Sequence, residues 1–196
     1  YIAEKHPSLI EKIVSKGHEI ASHGYSHTDI RKMSKSEFES DLKKSLSILQ
    51  KISGDNILGF RAPFFSIEEK NIWALNILQK YLKYDSSIFP VKTPLYGVPK
   101  APHTIFHPSP TSPFENDPHS SFIEIPPATL KIPIAGRIPI AGGFHLRFWP
   151  LPLIKYGIRK LNKSNSAAMC YIHPKDLDPD MPKISEYKWY YYWKLN

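Results

Sequence analysis

Short apolar runs that end in a cationic or imidazole side chain form the main pattern of this chain. Residues 57–60 precede Arg61, and residues 168–172 precede His173. A run of four or five apolar residues is typical of a strand that is buried on both faces. Proline follows closely in both places, and because proline removes a ladder donor, each strand is predicted to end there.

A pair of histidines follows a third extended segment, residues 19–22. His23 and His27 bracket Gly24, and neutral imidazole is the commonest metal ligand in proteins. A spacing of four places both rings on one face of a helix, whereas Gly24 favours a strand that ends in a tight loop. Either geometry allows the two rings to share one ion, and the alternative is a pair of surface loop histidines.

The three runs together predict an α/β protein with a parallel sheet or barrel. In such architectures the active site assembles at the carboxyl ends of the strands. We therefore expect the side chains that follow the runs to serve one site, although each short motif is weak by itself. The side chains expected to serve this site are those of His23, His27, Arg61 and His173.

Helical periodicity fills the connections between these runs. Residues 7–14 are predicted to form a helix closed by Gly17. A second helix is predicted from a capping box of Ser34 and Glu37 up to Gly54. A third carries an apolar stripe at Ile72, Leu75 and Leu78, and Ser66 with Glu69 is its predicted cap.

The second half of the chain is less regular. Residues 97–120 hold six prolines and are predicted to form a long loop. The loop is either functional, in which case its histidines contact substrate, or disordered. Residues 131–142 are a tandem repeat with internal prolines, predicted as edge or irregular strands. Residues 142–147 either line a site or form a tight turn. The aromatic tail, residues 185–196, covers an exposed end of the barrel or stacks on sugar rings. The loop histidines are His103, His107 and His119.

Composition fits one domain over residues 1–196, and its net charge is +8. The lysines lie scattered on predicted helix faces with no dense basic run, so nucleic-acid binding is not expected. A solvated basic surface, or a modest attraction to acidic glycans or to the cell envelope, accounts for the charge. The chain contains no run of eighteen apolar residues, so no membrane span is predicted. The single cysteine, Cys170, excludes an internal disulfide and is predicted to be a buried thiol in a core strand.

In order, residues 17–27, 59–63 and 171–174 resemble the successive motifs of polysaccharide deacetylases, the NodB-homology group known as carbohydrate esterase family 4. Residues 73–75, 84–90 and 141–144 resemble the subgroup associated with exopolysaccharide clusters and exosortase systems. The resemblance implies an irregular (β/α) barrel that hydrolyses N-acetyl groups of an amino-sugar polysaccharide or oligosaccharide.

The resemblance also implies roles for individual residues. His23 and His27 would hold a divalent metal, usually zinc. His173 would be the general acid, which requires a protonated ring beside a carboxylate. Arg61 would orient the catalytic base, and Asp85 would buttress Arg61 or His173, although it equally suits the opening of a turn. The backbone N–H of Phe64 is a candidate oxyanion donor, and further candidates to line the substrate site are Pro63, His145 and Arg147.

The family's first motif, a strand that ends in paired acidic residues, has no match in this chain. Glu4, Glu11 and Glu19 lie in the wrong sequence contexts. These acids would supply the third metal ligand and the base, so we expect an N-terminally truncated barrel that is nearly inactive by itself. Alternatives are a non-catalytic glycan-binding relative and a metal hydrolase of non-sugar amides. The compartment, bacterial or archaeal cytoplasm or envelope, and the oligomeric state stay open.

Overall fold

The protein divides into two compact units, Tyr1–Pro126 and Pro127–Asn196. The structure is a computed structural model that describes residues 1–133 and 136–180. The prediction of one domain over residues 1–196 stays a prediction, and the aromatic tail lies outside the described residues. No helix within the described ranges is long and apolar enough to cross a membrane.

Among the helices of the first unit, the second and the third begin and end close to where the sequence predicts. Pro7 opens the second of them in the first turn, where its missing N–H is not needed. Gly17 follows that helix with φ +79°, a left-handed conformation that glycine adopts without strain. The helices are α1 (Ile2–Lys5), α2 (Pro7–Ser15), α3 (Lys35–Ser53) and α4 (Trp73–Leu78), with 3-10 turns at Ile30–Lys32, Pro63–Phe65 and Glu69–Asn71.

The long helix α3 shows the predicted capping at both ends. The Glu37 N–H donates to the Ser34 hydroxyl at 3.3 Å, and the Ser34 N–H donates to the Glu37 carboxylate at 2.7 Å. Gly54 ends the helix with φ +74°. Because both ends are closed by local interactions, the buried stripe of α3 is held against the core. That stripe consists of Phe38, Leu42, Leu46 and Leu49.

The predicted cap of α4 is wrong. The Ser66 hydroxyl instead donates to the Pro63 carbonyl at 2.6 Å and accepts the Ile30 N–H at 3.1 Å. The preceding 3-10 turn is capped by Glu68, whose N–H donates to the Asn71 side chain at 2.7 Å. Ser66 therefore joins two loops rather than starting a helix.

A parallel sheet carries the chemistry-bearing residues of the first unit. Its strands are β1 (Gly59–Phe60), β2 (Tyr84–Asp85) and β3 (Ile123–Glu124), in the order β1-β2-β3. Ser22 extends the sheet through a parallel bridge to Phe60. Gly59 is required in β1 because a Cβ there would lie 2.0 Å from the Tyr84 ring.

The core of the first unit lies between this sheet and helices α3 and α4. Phe60 packs edge-to-face on Phe38 with ring centroids 5.7 Å apart, and Phe38 packs in the same way on Trp73. Leu42, Leu75 and Leu78 are almost completely buried around them. This packing fixes the sheet, and with it the residues at its carboxyl edge.

The second unit is built on a β-hairpin. Strands β4 (Thr129–Ile132) and β5 (Gly136–Pro139) pair antiparallel, which matches the edge strands predicted for the proline-containing repeat. Helices α5 (Gly143–Phe148) and α6 (Leu151–Lys163) follow, and a 3-10 turn spans Pro174–Asp176. A small apolar cluster centred on Leu130 and Ile140 joins the hairpin to α6.

The strand predicted at residues 168–172 is reduced to a single parallel bridge between Met169 and Pro127. Tyr171 makes one further backbone hydrogen bond to the Ala141 carbonyl. The predicted buried thiol is also wrong, because Cys170 is exposed. The run is apolar in composition, but hydrogen bonds to two separate segments leave it without a continuous ladder.

Candidate active site

Four neighbouring strand positions end at one edge of the first unit's sheet. Ser22, Phe60, Asp85 and Glu124 pair in successive registers. The residues that follow the first two of these positions are His23 and Arg61. His23 and Arg61 therefore lie side by side at this carboxyl edge, and the predicted convergence of His173 with them stays a prediction.

The first two motifs are joined by a hydrogen bond. His23 Nδ1 lies 2.6 Å from the backbone carbonyl oxygen of Arg61. A carbonyl only accepts, so Nδ1 carries the proton, and the lone pair of the neutral ring is on Nε2. Metal-binding histidines are typically fixed in this way, with one ring nitrogen donating to a carbonyl and the other facing the ion.

The His23 and His27 rings lie close together, with centroids 5.0 Å apart. Both residues are exposed, and the turn between them contains left-handed backbone at Gly24 (φ +80°) and His27 (φ +54°). The Asp41 carboxylate of α3 holds this turn by accepting the N–H groups of Tyr25 and Ser26 at 2.8 and 2.9 Å. Sequence reasoning did not identify Asp41, which has no local motif.

Phe64 has strained backbone beside this histidine pair. Its φ is +59°, and that of Phe65 is +50°, conformations that cost a non-glycine residue about 1–2 kcal/mol each. The Phe64 ring is 53% exposed and lies edge-on to the His27 ring at 5.0 Å. Strain of this kind clusters at functional sites. Pro63 opens the same turn and is buried.

The Arg61 guanidinium is held by the strand next to it. Its Nε donates to the Ser86 carbonyl at 3.1 Å, and its Nη2 donates to the Ser86 hydroxyl at 2.9 Å. The Ser86 hydroxyl donates in turn to the Ile125 carbonyl at 2.7 Å. Arg61 is thereby fixed across the ends of β2 and β3.

Asp85 is completely buried and lies beside Glu124, its partner in the adjacent strand. Burial and the negative charge of Asp85 raise the pKa of Glu124 well above its usual value. Burial also raises the pKa of Asp85 to about 6. Ionising both of two adjacent buried carboxyl groups costs a large free energy, because each charge is desolvated and the two repel each other. One proton is therefore shared between them.

A hydrogen-bond chain connects this carboxyl pair to the Arg61–Phe64 segment. The Ala62 N–H donates to the Ser87 hydroxyl at 2.7 Å, and that hydroxyl donates to Asp85 Oδ1 at 2.6 Å. On the far side, Glu124 Oε1 accepts the Ile88 N–H at 2.9 Å. Sequence reasoning missed Glu124, although a carboxylate inside the apolar run 122–125 is a signal for it.

The residues around His23 and His27 partly fit a divalent ion. Two imidazoles on one turn, one of them oriented through its second nitrogen, match the donor chemistry of zinc. Within residues 1–133 and 136–180 no group of three or more His, Cys, Asp or Glu side chains is placed to hold a metal. Two ligands are thus provided by this part of the chain.

The second unit holds its own group of predicted site residues. The Asp176 side chain, only 6% exposed, lies 3.5 Å from His173 Nδ1 and 3.4 Å from Arg147 Nη2. Asp176 also accepts the His173 N–H at 2.8 Å. Gly143 allows this arrangement, since a Cβ there would lie 2.0 Å from Asp176 Oδ2. Asp176 was not predicted, although its i,i+3 spacing from His173 is visible in the sequence.

His145 and two histidines of the proline-rich loop have surroundings of a different kind. Burial lowers the pKa of His145, and its Nδ1 has no hydrogen-bond partner in the described ranges. In the proline-rich loop, the backbone N–H groups of His107 and His119 donate to Asn116 and Asp117. Their contact with substrate stays a prediction.

Two cavities of the first unit differ in their relation to the histidines. One, of about 320 Å³, is lined by His23 and His27 together with residues of α1, α2 and α3. A larger one, of about 550 Å³, is lined by Arg31 and Glu68. Arg31 is bound to Asp29 and Glu68, so an ion-pair network forms part of the wall of the larger cavity.

Residues 86–195 match the family described as Domain of unknown function (DUF3473), which covers more than half of the chain. The chain belongs to the DUF3473 family. Residues 2–81 of this DUF3473 protein match a second model, described as polysaccharide deacetylase. This match confirms the resemblance inferred from the motifs that contain His23, His27 and Arg61.

Curated relatives of the DUF3473 protein are named as deacetylases. A peptidoglycan-N-acetylglucosamine deacetylase of Bacillus cereus is 33% identical over 73 residues, which are 37% of this chain and 26% of that protein. The chain spans about a quarter of the length of the curated relatives it matches.

Solved structures confirm the predicted fold class. A structure described as a polysaccharide deacetylase from Mycobacterium smegmatis has a TM-score of 0.56 and 19% identity, and covers 89% of this chain and 56% of that one. An allantoinase has a TM-score of 0.53 and 18% identity, with 89% and 54% covered. At these identities the likeness shows the fold alone, which is the mixed α/β, NodB-type (β/α) barrel.

Proposed function

We propose that this protein is a metal-dependent deacetylase that removes N-acetyl groups from an amino-sugar polymer. The observation that carries the proposal is the His23–His27 pair at the carboxyl edge of the sheet, with His23 Nδ1 held 2.6 Å from the Arg61 carbonyl. The names of the curated relatives support an N-acetylglucosamine polymer as substrate. The resemblance to the exopolysaccharide-associated subgroup makes an exopolysaccharide our preferred polymer.

His23 and His27 are the residues that would hold the ion, and zinc is the preferred metal because both ligands are imidazoles. When bound, a divalent ion polarises an amide carbonyl and acidifies water. The chain's contribution here is to fix the ring orientation through the Arg61 carbonyl and the turn through Asp41.

The segment from Arg61 to Phe64 is proposed to receive the acetamide group. The strained backbone of Phe64 presents its N–H as an oxyanion donor, a role for which a backbone amide needs no reorganisation. The guanidinium of Arg61 provides a fixed positive charge. Asp85 and Glu124 hold this segment through Ser87 and Ala62, and so act by positioning it.

His173 is proposed to protonate the leaving amine. The Asp176 carboxylate lies 3.5 Å from Nδ1 of the ring and orients it. Arg147 contacts the same carboxylate through Nη2 at 3.4 Å. These contacts give His173 the neighbouring carboxylate that the general-acid role requires.

Residues 1–196 alone are proposed to be a weak catalyst. The proposal is supported by the absence, within the described ranges, of a carboxylate grouped with the two imidazoles. Two ligands bind zinc weakly, and loss of a general base costs about 10²–10⁴ in rate. A small soluble carboxylate that replaces the base should then restore part of the rate.

The test is acetate release from N-acetylglucosamine oligomers by the zinc-loaded chain, with and without added formate. We expect slow release that formate accelerates, and loss of the formate-dependent rate in His23→Ala. His6→Ala, which changes an exposed histidine outside the proposed site, is the matched control and should retain the rate. Release from a cyclic amide but not from the oligomers would favour the non-sugar hydrolase. Oligomer binding without acetate release under any condition would favour a non-catalytic glycan binder.

A further inference from the structure

The net positive charge of this protein arises in one segment, because that segment contains no acidic residue. Residues 125–175 contain eight Lys and Arg and no Asp or Glu, whereas the other 18 Lys and Arg are balanced by all 18 Asp and Glu. The whole net charge of +8 therefore belongs to this segment. This segregation is unlike the scattered basic surface that the composition predicts, and it marks the second unit as a candidate to meet a negatively charged partner.

Helix α6 arranges half of this charge on one face. Its opposite face is buried at Ile154 and Gly157, and Gly157 lies so close to the hairpin that a Cβ would be 2.4 Å from Ile140 Cδ1. This contact fixes which side of the helix faces outward. The outward cations are exposed and, within the described parts of the chain, form no ion pair: Lys155, Arg159, Lys160 and Lys163.

Three of the four outward cations of α6 lie in line along the helix, and an apolar residue precedes them in the same line. Leu151, Lys155, Arg159 and Lys163 follow one another at i,i+4 spacing, which places them in line along the helix surface. Leu151 is 58% exposed. In the neighbouring row, Tyr156 is 56% exposed and lies under the Lys160 ammonium at 5.9 Å from its ring centroid.

The end of α5 adds a further exposed apolar side chain next to α6 in sequence. Phe148 is 59% exposed and stacks on Phe144 with centroids 5.6 Å apart. Large apolar side chains exposed next to a cationic helix mark an interaction site. We define the basic face as Leu151 and Tyr156 together with the four outward cations of α6; Phe148 precedes this face in the sequence.

We propose that the basic face docks on the surface of an anionic lipid bilayer. Clusters of four or more Lys and Arg on an amphipathic helix attract anionic headgroups. The long side chains extend toward the phosphates, while Leu151 provides apolar surface for the headgroup–acyl boundary. A soluble polyanion would use the cations alone, and the exposed apolar side chains therefore favour the lipid surface.

The test is co-sedimentation of the chain with phosphatidylcholine vesicles that contain or lack phosphatidylglycerol. We expect binding to the anionic vesicles only, weakened by salt. The double variant Lys155→Gln/Arg159→Gln should bind about 25-fold more weakly, at about fivefold for each lost charge. Lys35→Gln/Lys51→Gln removes the same charge from α3 and is the matched control, expected to bind within about twofold of the parent.

A second variant distinguishes docking on a lipid surface from binding to a soluble polyanion. Leu151→Gln keeps every charge and should still weaken vesicle binding measurably, because the apolar anchor is lost. Absence of binding to anionic vesicles, or equal losses in the α3 control, would overturn the proposal. Binding to a soluble sulfated polymer that depends on the cations, with vesicle binding indifferent to Leu151→Gln, would also overturn it. None of these results depends on deacetylase activity.

Discussion

The imidazole of His23 is bound to the backbone of Arg61, so a side chain from one motif is oriented by the main chain of another. The two residues are 38 positions apart in sequence, and the bond is 2.6 Å long. The parallel bridge between Ser22 and Phe60 brings them together. The proposed metal ligand, which follows this bridge, is therefore tied to the loop that follows the neighbouring strand.

The histidine turn should depend on the space at Gly24. An alanine Cβ there would lie 3.3 Å from Asp41 Oδ2 in addition to the strain of φ +80°. We predict that Gly24→Ala lowers the free energy of unfolding by about 1–2 kcal/mol and also weakens zinc binding.

Gly17→Ala is the matched control, because φ is +79° there and no atom lies within 4 Å of the added Cβ. It should show a similar loss in urea unfolding but unchanged zinc affinity by calorimetry. Equal zinc affinities for both variants would mean that the Asp41 contact does not position the histidines.

The buried carboxyl pair should make stability depend on pH. The folded pKa of Asp85 is about 6, above its usual 3.8, and that of Glu124 is also raised, so the folded state holds a proton more tightly than the unfolded state. The stabilisation is present below about pH 4 and is lost as pH rises through about 6, on the order of 3 kcal/mol. The nearby positive charge is that of Arg61, which lowers the pKa of Asp85.

Glu124→Gln should remove most of this pH dependence. The glutamine amide donates to Asp85 in place of the shared proton, and its oxygen still accepts the Ile88 N–H. Urea unfolding between pH 4 and pH 7 measures the effect, with the exposed Glu115→Gln as control. A slope in Glu124→Gln as steep as in the parent would show that the pair does not share a proton.

Asp176 should matter for turnover and not for metal affinity. Asp176→Asn retains an oxygen for the His173 N–H but loses the charge beside Nδ1 and Arg147. We predict that formate-dependent acetate release falls by about 10²-fold, the lower end of a general-acid contribution. The exposed Asp178→Asn is the control. A normal rate in Asp176→Asn would remove His173 from the proposed mechanism.

Sequence reasoning succeeded where local patterns determine the structure. The capping box of Ser34 and Glu37 and the strand that ends at Arg61 depend on neighbours in the chain, and both are present. The apolar run 168–172 satisfied the same pattern, but its backbone bonds go to two separate segments, which no local pattern specifies.

The residues that hold the candidate site together were harder to identify. Asp41 binds a turn 15 and 16 residues away, and Glu124 meets Asp85 only through strand pairing. Such partners are set by tertiary contacts. Asp176 is visible in the sequence as an i,i+3 neighbour of His173. The net charge of residues 125–175 is visible by counting charges along the chain.

Zinc binding by calorimetry tests the central claim, that His23 and His27 are metal ligands, most directly. The parent chain is predicted to bind one ion weakly. His23→Ala and His27→Ala should each weaken that binding by more than about 100-fold, beyond the loss caused by an outer-shell change, while His119→Ala binds like the parent. Parent-like zinc affinity in His23→Ala and His27→Ala would contradict the account.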